Sequence, residues 1–241
     1  MKNITWLFDV DGVLCDTGER ATDEFKDWFI NWAQDKRICL VTGSQREKTI
    51  YQVGQEIVDM AFMNFNCLGN SIWMYGKETL INQIVLHDDE RNWLEDAVLN
   101  SRFHIKTGNH IELRNGSINF STIGRNATPD QRLLYKQWEL INKERDEISI
   151  NFVNTFNRFE AYIGGDTSID ICLSGANKSQ CIDLLPNEVL YSDSLLYFFG
   201  DKCGPRGIDQ PISYAVGILP FGKSFSVTGY KDTWAILKEH L

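Results

Sequence analysis

The feature that most constrains this chain is a short apolar run, Ile4 to Phe8 with Thr5 its one polar residue, which stops on Asp9-Val10-Asp11-Gly12. A short, continuous apolar segment closed by polar residues is the pattern of a strand buried on both faces, and such strands belong to parallel sheets covered by helices. The end of a strand of this kind delivers its next side chain to the carboxyl edge of the sheet, where α/β folds bind ligands. Here that side chain is a carboxylate. Gly12 permits the turn that brings Asp9 and Asp11 toward one ligand. One of the two acids can attack phosphorus while the other, protonated, gives its proton to the leaving oxygen. Alone, the same four residues also suit a strand-end Asp pair that merely caps a loop.

The rest of the chain supplies a context. Phe25, Trp28, Phe29 and Trp32 recur at helical spacing behind a Thr22 cap. A second strand, Ile38 to Val41, ends at Thr42. The middle differs: His110–Arg114 and Ser117–Phe120 flank Asn115-Gly116, a strong hairpin signal. Leu133, Leu134, Trp138 and Ile141 mark an amphipathic helix starting near Asp130, and Phe159–Ile163 and Ser168–Leu173 read as two further strands. After Gly175 the first style returns, with Leu195–Phe199 running into Gly200-Asp201. The expected fold class is therefore α/β: a Rossmann-like parallel-sheet core with an inserted α/β cap domain containing an antiparallel sheet. Residues 1–78 and 175–241 form the expected core and 79–174 the cap.

Composition removes other classes. With 241 residues, 43% hydrophobic and 24% charged, the chain has the make-up of a globular protein. Its net charge of -9 argues against a nucleic-acid partner, though a few arginines in a cleft still hold a small phosphate. Cys15, Cys39, Cys67, Cys172, Cys181 and Cys203 lack C-x-x-C spacing, so buried reduced thiols are expected rather than zinc ligands. No apolar run reaches membrane-spanning length, and a cytoplasmic location is the default expectation.

Further candidates follow the same strand-end logic. Thr42-Gly43-Ser44 follows the second strand, and Ser44 with Glu47 spells an S-x-x-E capping box. Thr42 is the preferred hydroxyl donor to a phosphate, and Ser44 is an N-cap or a second donor. Lys178 would offset repulsion between two anions, although by itself it reads as a surface lysine. Asp201 and Asp209 bracket a turn-rich stretch and suit Mg²⁺, which takes a few protein oxygens and keeps waters. His87, His104 and His110 show no metal-ligand spacing, and His87-Asp88-Asp89-Glu90 reads as a solvated helix start.

In this order (strand-DxD, strand-T, Lys, strand-GD…D) the set resembles the haloacid dehalogenase superfamily of phosphotransferases. Ile111-Glu112-Leu113-Arg114-Asn115-Gly116, Ile118-Asn119, Ile123-Gly124-Arg125, Arg132, Gly164-Gly165, Ser168 and Asp170 resemble the cap of the eukaryotic-type phosphomannomutase family. Gly200-Asp201-Lys202 and Asp232-Thr233 extend that similarity over nearly the whole chain. The resemblance implies that Arg114, Arg125, Arg132, Ser168 and Asp170 hold a sugar phosphate. It implies Asp9 as nucleophile, Asp11 as acid and base, and Thr42, Ser44 and Lys178 around the transferring phosphoryl group. Mg²⁺ would lie on Asp9, Asp11 (through its carbonyl), Asp201 and Asp209. It further implies interconversion of mannose 6-phosphate and mannose 1-phosphate, a hexose 1,6-bisphosphate activator, and a homodimer through the cap. The alternatives are a sugar-phosphate phosphatase and, ranked low, a non-catalytic sugar-phosphate binder. The chain departs from the family at Thr42-Gly43-Ser44-Gln45, at Arg206-Gly207-Ile208-Asp209, where the resemblance implies an asparagine at the position of Ile208, at Gly18 and at Ala215. Gly18 stands where an arginine is expected, with Arg20 displaced nearby.

Overall fold

A computed structural model describes residues 4–190 and 194–239. Strand β1 (Ile4–Phe8) begins the fold as expected, followed by α1 (Asp23–Ala33), β2 (Arg37–Val41), α2 (Arg46–Val53) and α3 (Gln55–Met60). Three short strands come next, β3 (Met63–Asn66), β4 (Ser71–Met74) and β5 (Lys77–Leu80). The middle holds α4 (Asp88–Leu99), the hairpin β6 (Ile111–Arg114) and β7 (Ser117–Phe120), α5 (Pro129–Asn142), α6 (Glu144–Thr155), β8 (Phe159–Ile163) and β9 (Ile169–Leu173). After α7 (Gln180–Asp183) and α8 (Asn187–Leu190) come β10 (Leu195–Gly200), α9 (Gln210–Gly217), β11 (Gly222–Ser226) and α10 (Tyr230–Glu239).

Two sheets result. The larger has the order β11-β10-β1-β2-β3-β4-β5, parallel from β11 to β3 and antiparallel through β4 and β5. Strand β5, which spans position 78, pairs with β4 in this sheet. The smaller is wholly antiparallel, β6-β7-β9-β8.

Pleating explains why both faces of β1 and β10 carry apolar side chains. Trp6, Phe8 and Phe199 point to one face, against Phe25, Phe29 and Trp32 of α1 and Leu237 of α10. Leu7, Leu196 and Phe198 point to the other, against Cys181 and Ile182 of α7 and Ile212 and Val216 of α9. Thr22 caps α1 as expected, its hydroxyl accepting from the Phe25 amide. The aromatic stripe of α1 is core: Phe29 meets Phe8 edge-on at 5.4 Å between ring centroids, and Trp32 meets Trp6 at 5.0 Å.

The smaller sheet likewise has two faces. Ile118, Phe120, Ile169 and Ile171 pack with Leu94, Val98 and Phe152 from the helices behind it. The opposite face carries the cross-strand row Glu112, Asn119, Asp170, Tyr162. Ile111 joins the packed side, but Leu113, which strand alternation puts on the same face, is 47% exposed near the end of the edge strand β6.

Phe29 lies directly beneath the strand that presents Asp9, so truncating it tests this layer. Phe29→Ala should cost about 3–5 kcal/mol of stability through lost burial and the cavity left behind. Urea denaturation should then show a lower midpoint with an unchanged slope.

Candidate active site

Strand β1 stops at Phe8, so Asp9 emerges at the carboxyl edge between the ends of β2 and β10. Asp9 Oδ1 accepts from the Val10 amide at 2.8 Å and lies 2.9 Å from Lys178 Nζ. Among the described residues, Oδ2 has no hydrogen-bond donor. Lys178 is 1% exposed, and its ammonium also donates to Asp209 Oδ1 at 2.6 Å. It is thus a buried bridge between two acids and no surface lysine. Asp209 is fully buried beneath it and takes a second bond from the Lys202 amide at 3.0 Å.

Oxygens of Asp9, Asp201 and Asp209 lie within 4.8 Å of one another. Burial, and next the charge of Asp209, push the Asp9 carboxyl well above the usual range, with Asp201 adding and Lys178 opposing. Burial works against the Lys178 ammonium, yet Asp209 and Asp9 outweigh it and raise its pKa. Lys202 pairs with Asp201 at 3.0 Å, at the rim. The buried acids outnumber the buried cation, and the hard-oxygen donor set fits Mg²⁺. His87, Asp89 and Glu90 also approach one another. There, however, Glu90 is buried, bound twice to Arg158 at 2.7 Å, and closes the α4 capping box on the His87 amide. The helix start is thus as expected, but Glu90 is not solvated.

Gly12 allows the approach of Asp201. Its φ is +76°, and a Cβ there would stand 2.5 Å from Asp201 Oδ2. A side chain at position 12 would therefore push Asp201 out of the cluster.

Asp11 has other partners. Its Oδ1 accepts from the Gly18 amide and Gln52 Nε2, both at 2.7 Å, and its Oδ2 from Lys48 Nζ at 2.7 Å. Burial would raise its pKa, but the Lys48 charge and these donors prevail and hold the carboxyl below its ordinary value. Ser44 corrects an expectation. The residue preceding α2 is Gln45, and no side chain caps the helix. Ser44 Oγ instead lies between Asp11 Oδ2 at 3.5 Å and Lys48 Nζ at 3.2 Å, because the chain turns helical one residue later than the S-x-x-E pattern suggests. Thr42 Oγ1 accepts from the Ser44 amide at 3.1 Å, which leaves its proton for a ligand.

Facing these groups is the polar side of the smaller sheet, across a cavity of about 530 Å³. Every site residue expected from the sequence lines it except Asp209. Arg114 is almost wholly buried: Nε pairs with Glu112 at 2.7 Å, and Nη1 donates to the Gly43 carbonyl at 3.0 Å and reaches Asp170 at 3.4 Å. Arg125 pairs with Glu112 at 2.9 Å and donates to Asn119 at 3.0 Å. Among the described residues, Arg132 donates only to neutral oxygens, the Ala127 and Arg125 carbonyls and the Thr167 hydroxyl. Asp170 also accepts from Asn119 at 2.8 Å. Gly164 gives Asp170 room, since a Cβ there would meet Oδ2 at 2.0 Å. Ser168 lines the cavity while its carbonyl is held by Arg145. Arg20 does not stand in for an arginine at position 18: it lies over the Tyr51 ring, lining a separate hollow.

A profile of the family described as eukaryotic phosphomannomutase matches residues 25–241. The Drosophila melanogaster phosphomannomutase is 31% identical over 248 residues, covering 99% of this chain and 95% of its own length. Phosphomannomutase 1 of Dictyostelium discoideum is 29% identical, covering 99% and 97%. The chain belongs to the eukaryotic phosphomannomutase family. Its fold is shared with solved structures of low identity. The Plasmodium falciparum IMP-nucleotidase has a TM-score of 0.66 at 15% identity, over 99% of this chain and 69% of that one. The trehalose-6-phosphate phosphatase C-terminal domain of C. albicans has a TM-score of 0.65 at 13% identity, over 98% and 90%.

The structure adds residues that the sequence reading gave no role: Lys48, Gln52, Glu112, Asn119 and Arg145. Two of them were accessible, because Ser44, Lys48 and Gln52 recur every four residues and so share one helical face. Arg145 fixes the β8–β9 turn through the Gly165 and Ser168 carbonyls, a long-range contact with no local signal. Because the Lys48 charge depresses Asp11, Lys48→Met should raise the Asp11 pKa, as read by carboxyl carbon NMR titration. The paired Asp11 contributes stability above its unfolded pKa and loses it as pH falls through the folded value. The variant should therefore show a smaller acid-induced drop in melting temperature.

Proposed function

We propose that this chain is a cytosolic phosphomannomutase that moves a phosphoryl group between the two ends of a mannose phosphate by way of Asp9. The observation that carries this reading is a cavity with cationic side chains at both ends. One holds Asp9, Thr42 and Lys178; the other holds Arg125 and Arg132. A mutase needs both, because the phosphate that does not react must be held in either orientation of the sugar. With 79–174 as a cap over a core of 1–78 and 175–241, apart from β5 on the core sheet, closure excludes water from the aspartyl phosphate.

Asp9 Oδ2 attacks phosphorus, the bond from phosphorus to the sugar oxygen breaks, and that oxygen takes a proton from Asp11. In the return half, Asp11 removes a proton from the free hydroxyl of a hexose monophosphate, which attacks the aspartyl phosphate, giving the bisphosphate and restoring the Asp9 carboxylate. The Lys48 charge and the Gly18 and Gln52 donors favour the Asp11 carboxylate, the form that acts in the return half. A hexose 1,6-bisphosphate activator loads Asp9 by the first half, for which Asp11 enters protonated. Lys178 orients Asp9 and offsets the charge of the incoming phosphate, with Asp209 fixing Lys178 from below. The Thr42 hydroxyl donates to the phosphoryl oxygens, and Ser44 keeps Asp11 and Lys48 in register. Asp9, Asp201 and the Asp11 carbonyl would hold Mg²⁺, with Asp209 behind, and the ion supplies charge neutralisation. On the far wall, Arg114 and Asp170 brace each other, and Asp170 and Ser168 face the sugar hydroxyls. Six unpaired cysteines suit a cytosolic enzyme. Exposed Leu134, Leu140 and Ile141 on α5 offer apolar area for a homodimer through the cap.

Asp9→Asn should lower turnover by at least about 10³-fold while hexose-phosphate affinity stays within about tenfold; retained turnover would reject Asp9. Mannose 1-phosphate, offered with Mg²⁺ and a trace of bisphosphate, should give mannose 6-phosphate faster than free phosphate. Stoichiometric phosphate without the isomer would mark a phosphatase, and neither product a binder.

A further inference from the structure

One ion pair in the cavity has no part in the scheme above. Lys136 stands one turn beyond Arg132 on α5, so both side chains leave the same face, and both line the cavity. Its ammonium lies 3.0 Å from each carboxylate oxygen of Asp166, which sits on the β8–β9 turn. Side-chain exposures of 51% and 31% put the pair at the mouth, open to water. The Asp166 charge also acts on Arg132 and on Lys202 across the cavity. Asp166 thus stands among three cations, of which Lys202 is also paired with Asp201. Arg132, in turn, has only neutral hydrogen-bond acceptors among the described residues, and Arg125 beside it carries the same sign of charge.

An exposed pair of this kind adds little to stability, so it opens at small cost. A phosphate between Arg125 and Arg132 competes with Asp166 for the same positive field. We propose that Lys136 and Asp166 form a displaceable ion pair, in which Lys136 leaves Asp166 to close on the non-reacting phosphate and Asp166 is the resident anion that this phosphate displaces. The inference rests on the mutase reading and adds to it a binding residue and a built-in competitor. No covalent step is involved.

The two partners should act with opposite sign. Affinity for glucose 1,6-bisphosphate is measured by calorimetry in an Asp9→Asn background, where nothing turns over. Lys136→Met should weaken binding about five- to tenfold, and Asp166→Asn should tighten it by a similar factor. A pair that only braces α5 against the turn predicts weakening by both substitutions, and that result, or equal affinity in all three proteins, would overturn the inference alone. Lys136→Gln repeats the measurement with a polar side chain and should also weaken binding. Absence of bisphosphate binding in both the Asp9→Asn protein and the unaltered chain would overturn the mutase reading, and this inference with it.

Discussion

A lysine ammonium buried between two carboxylates organises this molecule. Removing such a charge from water costs on the order of several kcal/mol, and Lys178 recovers it only because Asp9 and Asp209 both lie within 3 Å. The three groups come from the end of β1, the segment before α7 and the start of α9, so the charge balance requires that these elements meet. The parallel sheet makes the meeting possible, since β1 and β10 end side by side and send Asp9 and Asp201 to one edge. A sheet slipped by one residue would leave Lys178 buried without its acids.

The second half of the site depends on contacts that join the two sheets. Arg114, on the smaller sheet, donates to the carbonyl of Gly43, between Thr42 and Ser44 on the loop after β2. Glu112 links the same arginine to Arg125. A chain of charge-assisted bonds therefore runs from one end of the cavity to the loop at the other. Farther out, Ile163 pairs with Gly207 and Arg206 bonds Asp146, so the end of β8 is also tied to the loop after β10. Some of the contacts that hold the two walls of the cavity together are thus made by site residues themselves.

What was legible in the sequence follows from how far each signal reaches. The runs in β1 and β10 and the Asn-Gly hairpin are local patterns with local causes, and they were found with their boundaries nearly intact. Strands β3, β4, β5 and β11 were not, because segments such as MNFN and KETL are four residues long and alternate weakly; neighbouring strands make them strands. The acidic residues were visible because they follow strand ends. Lys178 was misjudged in isolation, since a lysine's burial depends on acids 31 and 169 positions away. Ser44 was misjudged for the opposite reason: a good local capping pattern gave way to hydrogen bonds with Asp11 and Lys48.

The departures from the family pattern also have a physical reading. Ile208 stands where an asparagine is expected, next to the buried Asp209. The structure buries Ile208 with Leu68, Cys172 and Ala176, at the seam between the two sheets. Asp209 still has its donors: Lys178 takes Oδ1, and the Lys202 amide takes Oδ2. That backbone amide is present with any residue but proline at position 202. The acid beneath the nucleophile is thus held without an asparagine, and position 208 is free to carry an apolar side chain that seals the seam.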